Sequence, residues 1–429
     1  MPSVAFHTLG CKLNFSETSA MRRHFVESGF VCVDFDAFSN VYVINTCSVT
    51  EEANKKCRQM IKRCIRINPD AYIVVTGCYA QLEAKQVAEI HGVDLVLGSN
   101  EKTDILNYLD PSLSKSKSAV IVVGNILKDK IFKPSFSSGD RTRTFLKVQD
   151  GCDYYCTYCT IPMARGVSRS ASLDETIAEA RRAAHLGAKE IILTGVNIGD
   201  FGRRNGESFL ELVKALELVD GVERYRISSI EPNLLTDEVI AFVSKSKKFM
   251  PHFHIPLQSG SDEVLQLMRR RYDTSFFRQK IEIVHRLIPE AFIGIDVIVG
   301  TNGETLEYFN DSVRFIESLD FAQLHVFTYS ERPNTMALRI KPVVDMAERH
   351  RRNSVLHDLS VKRHSAFLHR FVGNRARVLF ESGEHDGMIC GFSENYIKVA
   401  VPYDVSLDNK ICDVEITSVS GDFVIGRLI

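Results

Sequence analysis

The stretch Gly151-Cys152-Asp153-Tyr154-Tyr155-Cys156-Thr157-Tyr158-Cys159-Thr160-Ile161-Pro162 holds three cysteines, with three residues and then two residues between them. Thiolates this close in sequence can converge on one point, because only a short loop has to be ordered to bring them together. Three sulfurs are one short of a closed tetrahedral zinc site, and no fourth cysteine or histidine lies nearby in the sequence. Three thiolates do suit a [4Fe-4S] cluster whose fourth iron is open to another ligand. The alternatives are three structural thiols, or a zinc site completed by a distant residue.

The spacing of Cys152, Cys156 and Cys159 resembles that of the radical S-adenosylmethionine enzymes. This resemblance implies that the open iron holds the amino and carboxylate groups of S-adenosylmethionine. It also implies that one electron cleaves this cofactor to a 5′-deoxyadenosyl radical.

Length and composition indicate a protein of two or three domains that does not enter a membrane. The 429 residues exceed one ordinary core, and 45% hydrophobic with 25% charged residues is typical of globular proteins. No apolar run approaches a membrane span, and the N-terminus lacks the basic and apolar segments of a secretory signal. Eleven cysteines without such a signal argue against disulfides and favour a cytoplasmic metalloprotein, which we expect to be a monomer.

The formal net charge of −1 hides two basic stretches. Eight Lys and Arg lie in residues 114–147, and ten lie in residues 339–377. Such stretches could follow the phosphate backbone of RNA, or they could be a solvated linker and a charged helix face. The composition leaves both interpretations open.

Strands and helices alternate through residues 1–113, which predicts a domain of the α/β class with a parallel sheet. Cys11, Cys47 and Cys78 each come just after the end of a predicted strand. The C-terminal ends of parallel strands share one edge, where α/β folds bind ligands, so we expect these cysteines to meet in space. We interpret them as ligands of a second iron–sulfur cluster. The alternative is three unrelated buried thiols.

The rest of the chain divides into three parts. Residues 114–143 are rich in Ser, Lys and Gly and are predicted to be a basic interdomain linker. Residues 144–370 repeat a strand and a helix six times, which predicts a partial (β/α)6 barrel with its active site at the C-terminal ends of the strands. Residues 371–429 hold five short strands, which predicts a small β-barrel of the oligonucleotide-binding kind. It resembles the TRAM domain that is appended to several RNA-modifying enzymes.

Polar residues collect at the expected active face of the central barrel. By resemblance to the radical S-adenosylmethionine enzymes, the residues that would bind this cofactor are Tyr158, Gly195, Asn197, Ser229, Glu231, Gln258 and Asp296. Tyr158 could pack on the adenine ring, and Gly195 lets a ligand approach the backbone. Each of them could instead be a capping or turn residue. His252 and His254 alternate onto one side of a strand, which favours packing inside the barrel over a catalytic role.

Some aromatic and basic residues are candidates for contact with RNA. Tyr329 and Arg332 follow the sixth barrel strand, and an aromatic ring beside an arginine can stack on and pair with RNA bases. Residues 378–429 carry nine acidic groups against three basic ones, so RNA contact by the small barrel should concentrate at Arg375 and Arg377. A docking or stabilising role for this barrel is the alternative.

The whole chain resembles one family, the methylthiotransferases, across all three domains. Its N-terminal motifs are Leu9-Gly10-Cys11-Lys12-Leu13-Asn14, Asn45-Thr46-Cys47-Ser48-Val49 and Gly77-Cys78-Tyr79-Ala80-Gln81. Gly151 to Gly166 matches the radical motif, and His254-Ile255-Pro256-Leu257-Gln258-Ser259-Gly260-Ser261 matches another segment of the family. Together these motifs are far more specific than any single Cys-x-x-Cys.

The resemblance implies two [4Fe-4S] clusters, with S-adenosylmethionine as both methyl donor and radical source. The cluster on Cys11, Cys47 and Cys78 would carry sulfur at its open iron, and one S-adenosylmethionine would methylate that sulfur. A second S-adenosylmethionine at the other cluster would yield the radical, so that a methylthio group replaces hydrogen on carbon. An electron donor such as flavodoxin or ferredoxin and a sulfur source would be partners.

Three segments look most like the branch that acts on N6-threonylcarbamoyladenosine at position 37 of tRNA: Lys12-Leu13-Asn14, Asp153-Tyr154-Tyr155 and Thr160-Ile161-Pro162. That nucleotide lies in the anticodon loop, so its base is reachable without opening a duplex. Other branches modify N6-isopentenyladenosine at the same position, or an aspartate of a ribosomal protein. A non-catalytic iron–sulfur protein that binds RNA, and does not cleave S-adenosylmethionine, is a further alternative.

Two segments depart from the family pattern. Gly300-Thr301-Asn302-Gly303-Glu304-Thr305 stands where the family usually has Phe-Pro between the glycines. Val167 stands where a basic residue is common, which leaves Arg165 and Arg169 as the candidate phosphate contacts in that segment. Neither departure changes a cysteine.

Overall fold

The computed structural model describes residues 1–48, 51–139 and 141–429. Within them the chain forms an N-terminal parallel α/β domain, a central partial barrel and a C-terminal closed β-barrel, which confirms the predicted fold class. Among these residues we find no helix with the length and hydropathy that crossing a bilayer requires.

The N-terminal domain is a six-stranded parallel sheet with helices on both faces. Its strands are β1 (Ser3–Thr8), β2 (Val31–Val33), β3 (Val41–Thr46), β4 (Tyr72–Gly77), β5 (Leu95–Leu97) and β6 (Val120–Val122), in the spatial order β2-β1-β3-β4-β5-β6. Its helices are α1 (Lys12–Glu27), α2 (Glu51–Ile67), α3 (Cys78–Leu82) and α4 (Ala84–Ala88). The strands β3 and β4 are buried along their whole length and are rich in Val, Ile and Tyr, because a parallel sheet is covered on both faces.

Two thiols on α2 belong to the core of this domain. Cys57, Ile61 and Cys64 are fully buried on one face of the helix, as their helical spacing predicts. Burial raises the pKa of Cys57 and of Cys64 to about 12, so both thiols are neutral near pH 7. Their role is packing.

The segment 114–143 contributes a strand to each of two sheets. Strand β6 pairs with β5 and completes the N-terminal sheet. Strand β7 (Ser135–Phe136) pairs antiparallel with the first strand of the central domain. The sequence predicted a basic interdomain linker here. In the structure the segment also forms part of both sheets that it connects. Strands of two or three residues are too short to give a periodic sequence signal.

The central domain is a partial barrel of six parallel strands. These are β8 (Arg143–Lys147), β9 (Glu190–Thr194), β10 (Arg224–Ile227), β11 (His252–Gln258), β12 (Phe292–Val299) and β13 (Gln323–Thr328). Strands β7 to β10 form one sheet and β11 to β13 another, and isolated bridges join them from Tyr225 to Phe249 and from Ser229 to His254. Among the described strands β13 pairs only with β12, so the barrel is open between β13 and β8.

The helices of the central domain lie outside its strands. They are α5 (Ile161–Arg165), α6 (Leu173–His185), α7 (Phe209–Glu217), α8 (Asp237–Val243), α9 (Asp262–Leu267), α10 (Thr274–Leu287), α11 (Leu306–Glu317) and α12 (Met346–His369). Ser172 and Glu175 form a capping box that starts α6, and Thr305 caps α11.

The C-terminal domain is a closed five-stranded barrel. Its strands are β14 (Arg375–Phe380), β15 (Met388–Ser393), β16 (Lys398–Pro402), β17 (Ile411–Ser420) and β18 (Phe423–Leu428), closed in the order β14-β15-β16-β18-β17. Val378, Val399 and Val414 fill its interior. Closure leaves no unpaired strand edge, which suits a domain of this size.

Buried arginines fasten the C-terminal barrel to the central domain. Arg226 pairs with Glu190 on the neighbouring strand (2.8 Å) and donates to the carbonyl oxygens of Ser393 (2.6 Å) and Glu394 (2.8 Å). Arg224 makes equivalent bonds to two further barrel carbonyls. The C-terminal barrel therefore closes the end of the central barrel opposite to its expected active face.

We expect Arg226→Met to loosen this junction. The substitution leaves the buried Glu190 carboxylate with only the longer contact to Arg224 (3.8 Å), and loss of a buried partner costs about 3–5 kcal/mol. Hydrogen exchange of the full-length protein should show faster exchange in β15 and β16, together with a lower melting temperature.

The matched control is Arg427→Met, which removes an exposed arginine paired with Glu415 on the outside of the barrel. An exposed pair is worth less than about 1 kcal/mol, so this variant should exchange like the parent. Equal effects of the two substitutions would contradict the proposed fastening.

Candidate active site

Three cysteines from distant parts of the sequence come to one edge of the N-terminal sheet. Thr46 and Gly77 are paired in register, and Cys47 and Cys78 follow them directly at the C-terminal ends of β3 and β4. Cys11 immediately precedes α1. Burial raises the pKa of the Cys78 thiol, and the nearby Cys11 raises it further.

Gly10 and Asn14 shape the loop that carries Cys11. A β-carbon on Gly10, whose φ is +101°, would lie 2.6 Å from the β-carbon of Cys47, so glycine is what lets the two cysteine loops touch. Asn14 Nδ2 donates to the carbonyl oxygens of Leu9 (2.7 Å) and Thr46 (3.0 Å). Asn14 thus joins the segments that follow β1 and end β3, a role that the sequence motif alone did not reveal.

A buried ionic network ties the N-terminal domain to the central domain. The Glu17 carboxylate of α1 accepts hydrogen bonds from both terminal nitrogens of Arg165 (3.0 and 3.1 Å). Lys147 (3.0 Å) and Lys102 (2.5 Å) bind the same carboxylate. Arg165 also donates to Asn14 Oδ1 (2.6 Å). Arg165 ends the helix after the second cysteine loop, and α1 follows Cys11, so this network joins the segments that carry the two cysteine sets.

The network holds more positive than negative charge. Two carboxylates face four cations, and these groups are Glu17, Asp150, Lys102, Lys147, Arg165 and Arg169. Burial alone would raise the pKa of Glu17, but Arg165, Lys102 and Lys147 outweigh it and hold that pKa below its usual range. Arg165 and Lys102 also act on Cys78, where positive charge favours the thiolate. Thiolates that hold an iron–sulfur cluster would balance this excess, so these residues fit such a group.

The second cysteine loop is fixed by its backbone. Gly151 has a φ of +70°, and a β-carbon there would lie 2.0 Å from the carbonyl oxygen of Val167. Cys152 N donates to the carbonyl oxygen of Gly166 (3.0 Å). Burial raises the pKa of Cys152 and of Cys159 to about 12. Such thiols are poor free nucleophiles, and a bound metal is what would deprotonate them, so this set also fits an iron–sulfur cluster.

Arg270 is a residue of this site that the sequence analysis missed. Its Nη1 donates to Cys156 Sγ (3.2 Å), its Nη2 pairs with Glu231, and its Nε donates to the hydroxyl of Tyr272 (3.0 Å). Arg270 therefore joins a candidate cluster ligand to a candidate cofactor-binding carboxylate. In sequence it is the middle of three arginines at 269–271, which look like surface charge, and no signal singled it out.

Four predicted cofactor contacts lie in the cysteine loop or at the ends of the barrel strands. Tyr158 and Glu231 are half-buried beside the cysteine loop. Gln258 Oε1 and Asn197 Oδ1 are buried acceptors without a hydrogen-bond partner among the described residues. Buried acceptors are normally satisfied, and the amino and hydroxyl groups of S-adenosylmethionine are suitable donors. These residues therefore fit that cofactor.

The other three predicted cofactor contacts are engaged by the protein itself. A β-carbon on Gly195 would lie 2.8 Å from a backbone carbonyl oxygen at the end of the first barrel strand. Ser229 forms a bridge with His254. The Asp296 carboxylate contacts His254 Nε2 (2.6 Å) and His325 Nδ1 (3.1 Å). Contact of these three residues with S-adenosylmethionine stays a prediction.

Four residues expected to contact RNA are buried between domains instead. Arg165 and Arg169 belong to the ionic network, with their charges directed at carboxylates. Arg332 donates to the hydroxyl of Ser48 (2.9 Å), next to Cys47, and Tyr329 is buried. These four side chains face inward, which the sequence did not indicate, because it gives the charge of a side chain but not the side of the domain that it faces. Their contact with RNA stays a prediction without support from the structure.

Arg375 and Arg377 do lie at the surface. Arg377 is near Glu223 (3.6 Å) and Glu394 (3.9 Å), which partly offset its charge. Their contact with RNA stays a prediction.

The departure at Thr301 and Asn302 has a structural explanation. Asn302 Nδ2 donates to the carbonyl oxygen of Ala337 (3.0 Å), and Gly303 N donates to that of Pro342 (2.7 Å). The loop is thereby closed onto the segment between β13 and α12. At the other departure, the main chain of Val167 packs against Gly151. This contact involves the backbone of Val167 and not its side chain.

Two protein-family models match the chain: an uncharacterized protein family, UPF0004, over residues 3–98, and the Radical SAM superfamily over residues 146–316. The threonylcarbamoyladenosine tRNA methylthiotransferase MtaB of Bacillus subtilis (strain 168) is 40% identical and covers 97% of this chain and 94% of its own. The enzyme of that name from Thermotoga maritima is 36% identical, with 93% and 91% covered. The tRNA-2-methylthio-N(6)-dimethylallyladenosine synthase of Bartonella tribocorum is 30% identical, with 99% and 96% covered.

Among solved structures, the radical S-adenosylmethionine methyltransferase TsrM from Kitasatospora setae, with tryptophan and a cofactor analogue bound, is similar to this chain. It aligns with a TM-score of 0.56 at 14% identity, over 76% of this chain and 73% of that one. At this identity the likeness concerns the fold.

We expect Glu17→Gln to destabilise the junction between the cysteine sets by about 3–5 kcal/mol, because it takes the carboxylate from the buried Lys102 and leaves Arg165 and Lys147 with Asp150 alone. Asp150 and Glu17 have pKa values below their usual range, so their stabilising effect is present above about pH 4 and is lost as pH falls further. The melting temperature of the variant should therefore lie well below that of the parent at pH 7, and the gap should narrow below about pH 4. Glu27→Gln, an exposed carboxylate of the same helix, is the control; a constant gap across this range would contradict the network.

We also expect Arg270→Met to make the reduction potential of the cluster on the second cysteine loop more negative. The variant loses a hydrogen bond to Cys156 Sγ, and such bonds stabilise the more negative, reduced cluster. The measurement is a redox titration followed by electron paramagnetic resonance, with Cys11, Cys47 and Cys78 changed to Ala so that one cluster remains. The control is Arg271→Met, because Arg271 stacks on Tyr154 instead of donating to a cysteine sulfur. An unchanged potential in Arg270→Met would refute the role of Arg270 in supporting the cluster.

Proposed function

Because the chain belongs to the radical S-adenosylmethionine methylthiotransferases, we propose that it inserts a methylthio group at C2 of N6-threonylcarbamoyladenosine 37 in tRNA. The relatives that carry the threonylcarbamoyladenosine name are 40% and 36% identical, and the dimethylallyladenosine relative is 30% identical. This order supports the threonylcarbamoyl substrate. Methylthiolation of N6-isopentenyladenosine at the same position is the alternative.

One observation carries the proposal: buried hydrogen bonds and ion pairs join the segments that carry the two sets of three cysteines. Arg165, which follows Cys159 by one short helix, binds Glu17 and Asn14, which lie in the first two turns after Cys11. Methylthiolation needs a sulfur-bearing group and a radical source at one substrate carbon. Two cysteine sets fixed by buried ion pairs meet this demand, since a misplacement of about 1 Å lowers rates strongly.

We assign one [4Fe-4S] cluster to each cysteine set, with S-adenosylmethionine at the cluster of Cys152, Cys156 and Cys159. When bound, these groups supply the radical chemistry and the transferable methylthio group. The chain itself binds and orients them: Arg270 donates to a ligand sulfur, and Gln258 and Asn197 offer buried acceptors to the cofactor. The N-terminal domain is held at the open side of the barrel by Arg332, which donates to Ser48 beside Cys47.

The reaction also needs partners from outside the chain. We propose an electron donor of the flavodoxin or ferredoxin kind, a sulfur source, and the anticodon loop of tRNA as substrate in the cytoplasm. The C-terminal barrel resembles a TRAM domain and presents Arg375 and Arg377 at its exposed surface, which suits contact with phosphates. Its fixed attachment through Arg226 would let it orient tRNA.

We expect 2-methylthio-N6-threonylcarbamoyladenosine to disappear from tRNA in cells that lack this gene. It should return with the intact gene and with Cys57→Ala, which removes a packing thiol, but not with Cys156→Ala. Nucleoside digests analysed by mass spectrometry are the measurement. A change in the isopentenyl derivative instead would overturn the substrate, and no change in any nucleoside would refute the tRNA reaction and direct the test to the ribosomal-protein substrate.

A matched variant separates the two cysteine sets. Purified Cys47→Ala should still cleave S-adenosylmethionine to 5′-deoxyadenosine but should transfer no methylthio group. If Cys47→Ala transfers as well as the intact enzyme, the first cysteine set has no part in the reaction.

A further inference from the structure

Three side chains of the central barrel converge at one carboxylate oxygen. His254 Nε2 lies 2.6 Å from Asp296 Oδ1, and His325 Nδ1 lies 3.1 Å from the same oxygen. The two imidazole nitrogens lie 3.4 Å from each other. These atoms form the one group of at least three His, Cys, Asp or Glu within the described residues whose ligand atoms all lie within 4.8 Å of one another.

The fold places these residues by register. They lie on three adjacent parallel strands, β11, β12 and β13, and Asp296 is the direct partner of His325. Their side chains are 20%, 17% and 38% exposed for His254, Asp296 and His325, so the group is sheltered but open to solvent. Rigid neighbouring strands hold such a constellation better than loops do.

The spacing suits metal coordination. Ligand atoms bound to one ion at about 2.1 Å, with angles between an octahedral and a tetrahedral value, lie about 3.0–3.4 Å apart. Two of the three separations fall in this range, and the third is shorter by a few tenths of an ångström. Both imidazoles aim a nitrogen at the same carboxylate oxygen, and a metal ion would take the place of the ring protons that make these contacts hydrogen bonds.

We propose that His254, Asp296 and His325 bind one divalent transition-metal ion. Two imidazoles and one carboxylate on one side of an ion, with further positions open, are typical ligands for Fe²⁺, Mn²⁺, Co²⁺ or Zn²⁺. One carboxylate leaves a site that holds a divalent ion with a net positive charge. The ion's open positions therefore favour an anionic oxygen ligand.

The substrate offers such a ligand. The threonylcarbamoyl group carries a carboxylate and a hydroxyl, which together can chelate a cation, whereas an isopentenyl group carries neither. The ion would thus select the threonylcarbamoyl group, and this second part rests on the proposed function.

The first test measures the metal alone, on cluster-loaded full-length protein without tRNA. After dialysis against Mn²⁺ or Zn²⁺ and removal of loose ions, mass spectrometry of the metals should find one extra ion per chain. His325→Ala and Asp296→Asn should lose it, while His285→Ala, which removes a histidine paired with Asp320 elsewhere, should keep it. Equal metal content in His325→Ala and the parent would overturn the proposal, whatever the reaction turns out to be.

The second test concerns the ligand of the ion. The electron paramagnetic resonance spectrum of the Mn²⁺ form should change on addition of N6-threonylcarbamoyladenosine and stay unchanged with N6-isopentenyladenosine. A spectrum that responds to neither nucleoside, with the ion bound, would refute substrate selection by the metal. In that case methylthiolation of threonylcarbamoyladenosine in cells would still report independently on the proposed function.

Discussion

The buried carboxylate of Glu17 is the constraint on which the rest of the structure depends. It lies in the helix after Cys11 and receives Arg165 from the helix after Cys159, together with Lys102 and Lys147. Charges this deeply buried are tolerated only when every partner is in place. The network therefore specifies one relative position of two domains, and with it one relative position of two cysteine sets. Its excess of positive charge also favours the thiolate form of Cys78, on which Arg165 and Lys102 act.

The central barrel is closed by different contacts at one end and at its open side. At one end Arg224 and Arg226 bind main-chain carbonyls of the C-terminal barrel, so the connection depends on backbone geometry. At the open side, between β13 and β8, the N-terminal domain is held by Arg332 and by the Glu17 network. The C-terminal ends of the strands are left for ligands, and there the structure has its unsatisfied buried acceptors, Gln258 and Asn197.

Arginine has a consistent role in this chain. Of the basic residues that looked suited to nucleic acid, Arg165, Arg169 and Arg332 are buried and join domains, and Arg270 supports a cysteine sulfur. The planar guanidinium can satisfy several acceptors at once, which makes it suitable for a buried junction. The acidic C-terminal barrel and the exposed Arg375 and Arg377 leave only a modest basic surface, so recognition of RNA must depend on more than bulk charge.

The sequence by itself determined the fold class, the six parallel barrel strands, the closed C-terminal barrel and the likeness to the methylthiotransferases. Strand periodicity and short cysteine spacing involve residues that are close in sequence, so they can be recognised without the structure. Only the tertiary structure decided that 114–143 builds two sheets, that Arg165 and Arg332 face inward, and that Asn14 and Arg270 belong to the site. Each of these depends on the direction of a side chain across a gap of many residues, as when Arg165 meets Glu17. Register between strands placed His254, Asp296 and His325 together, and no spacing along the chain encodes that.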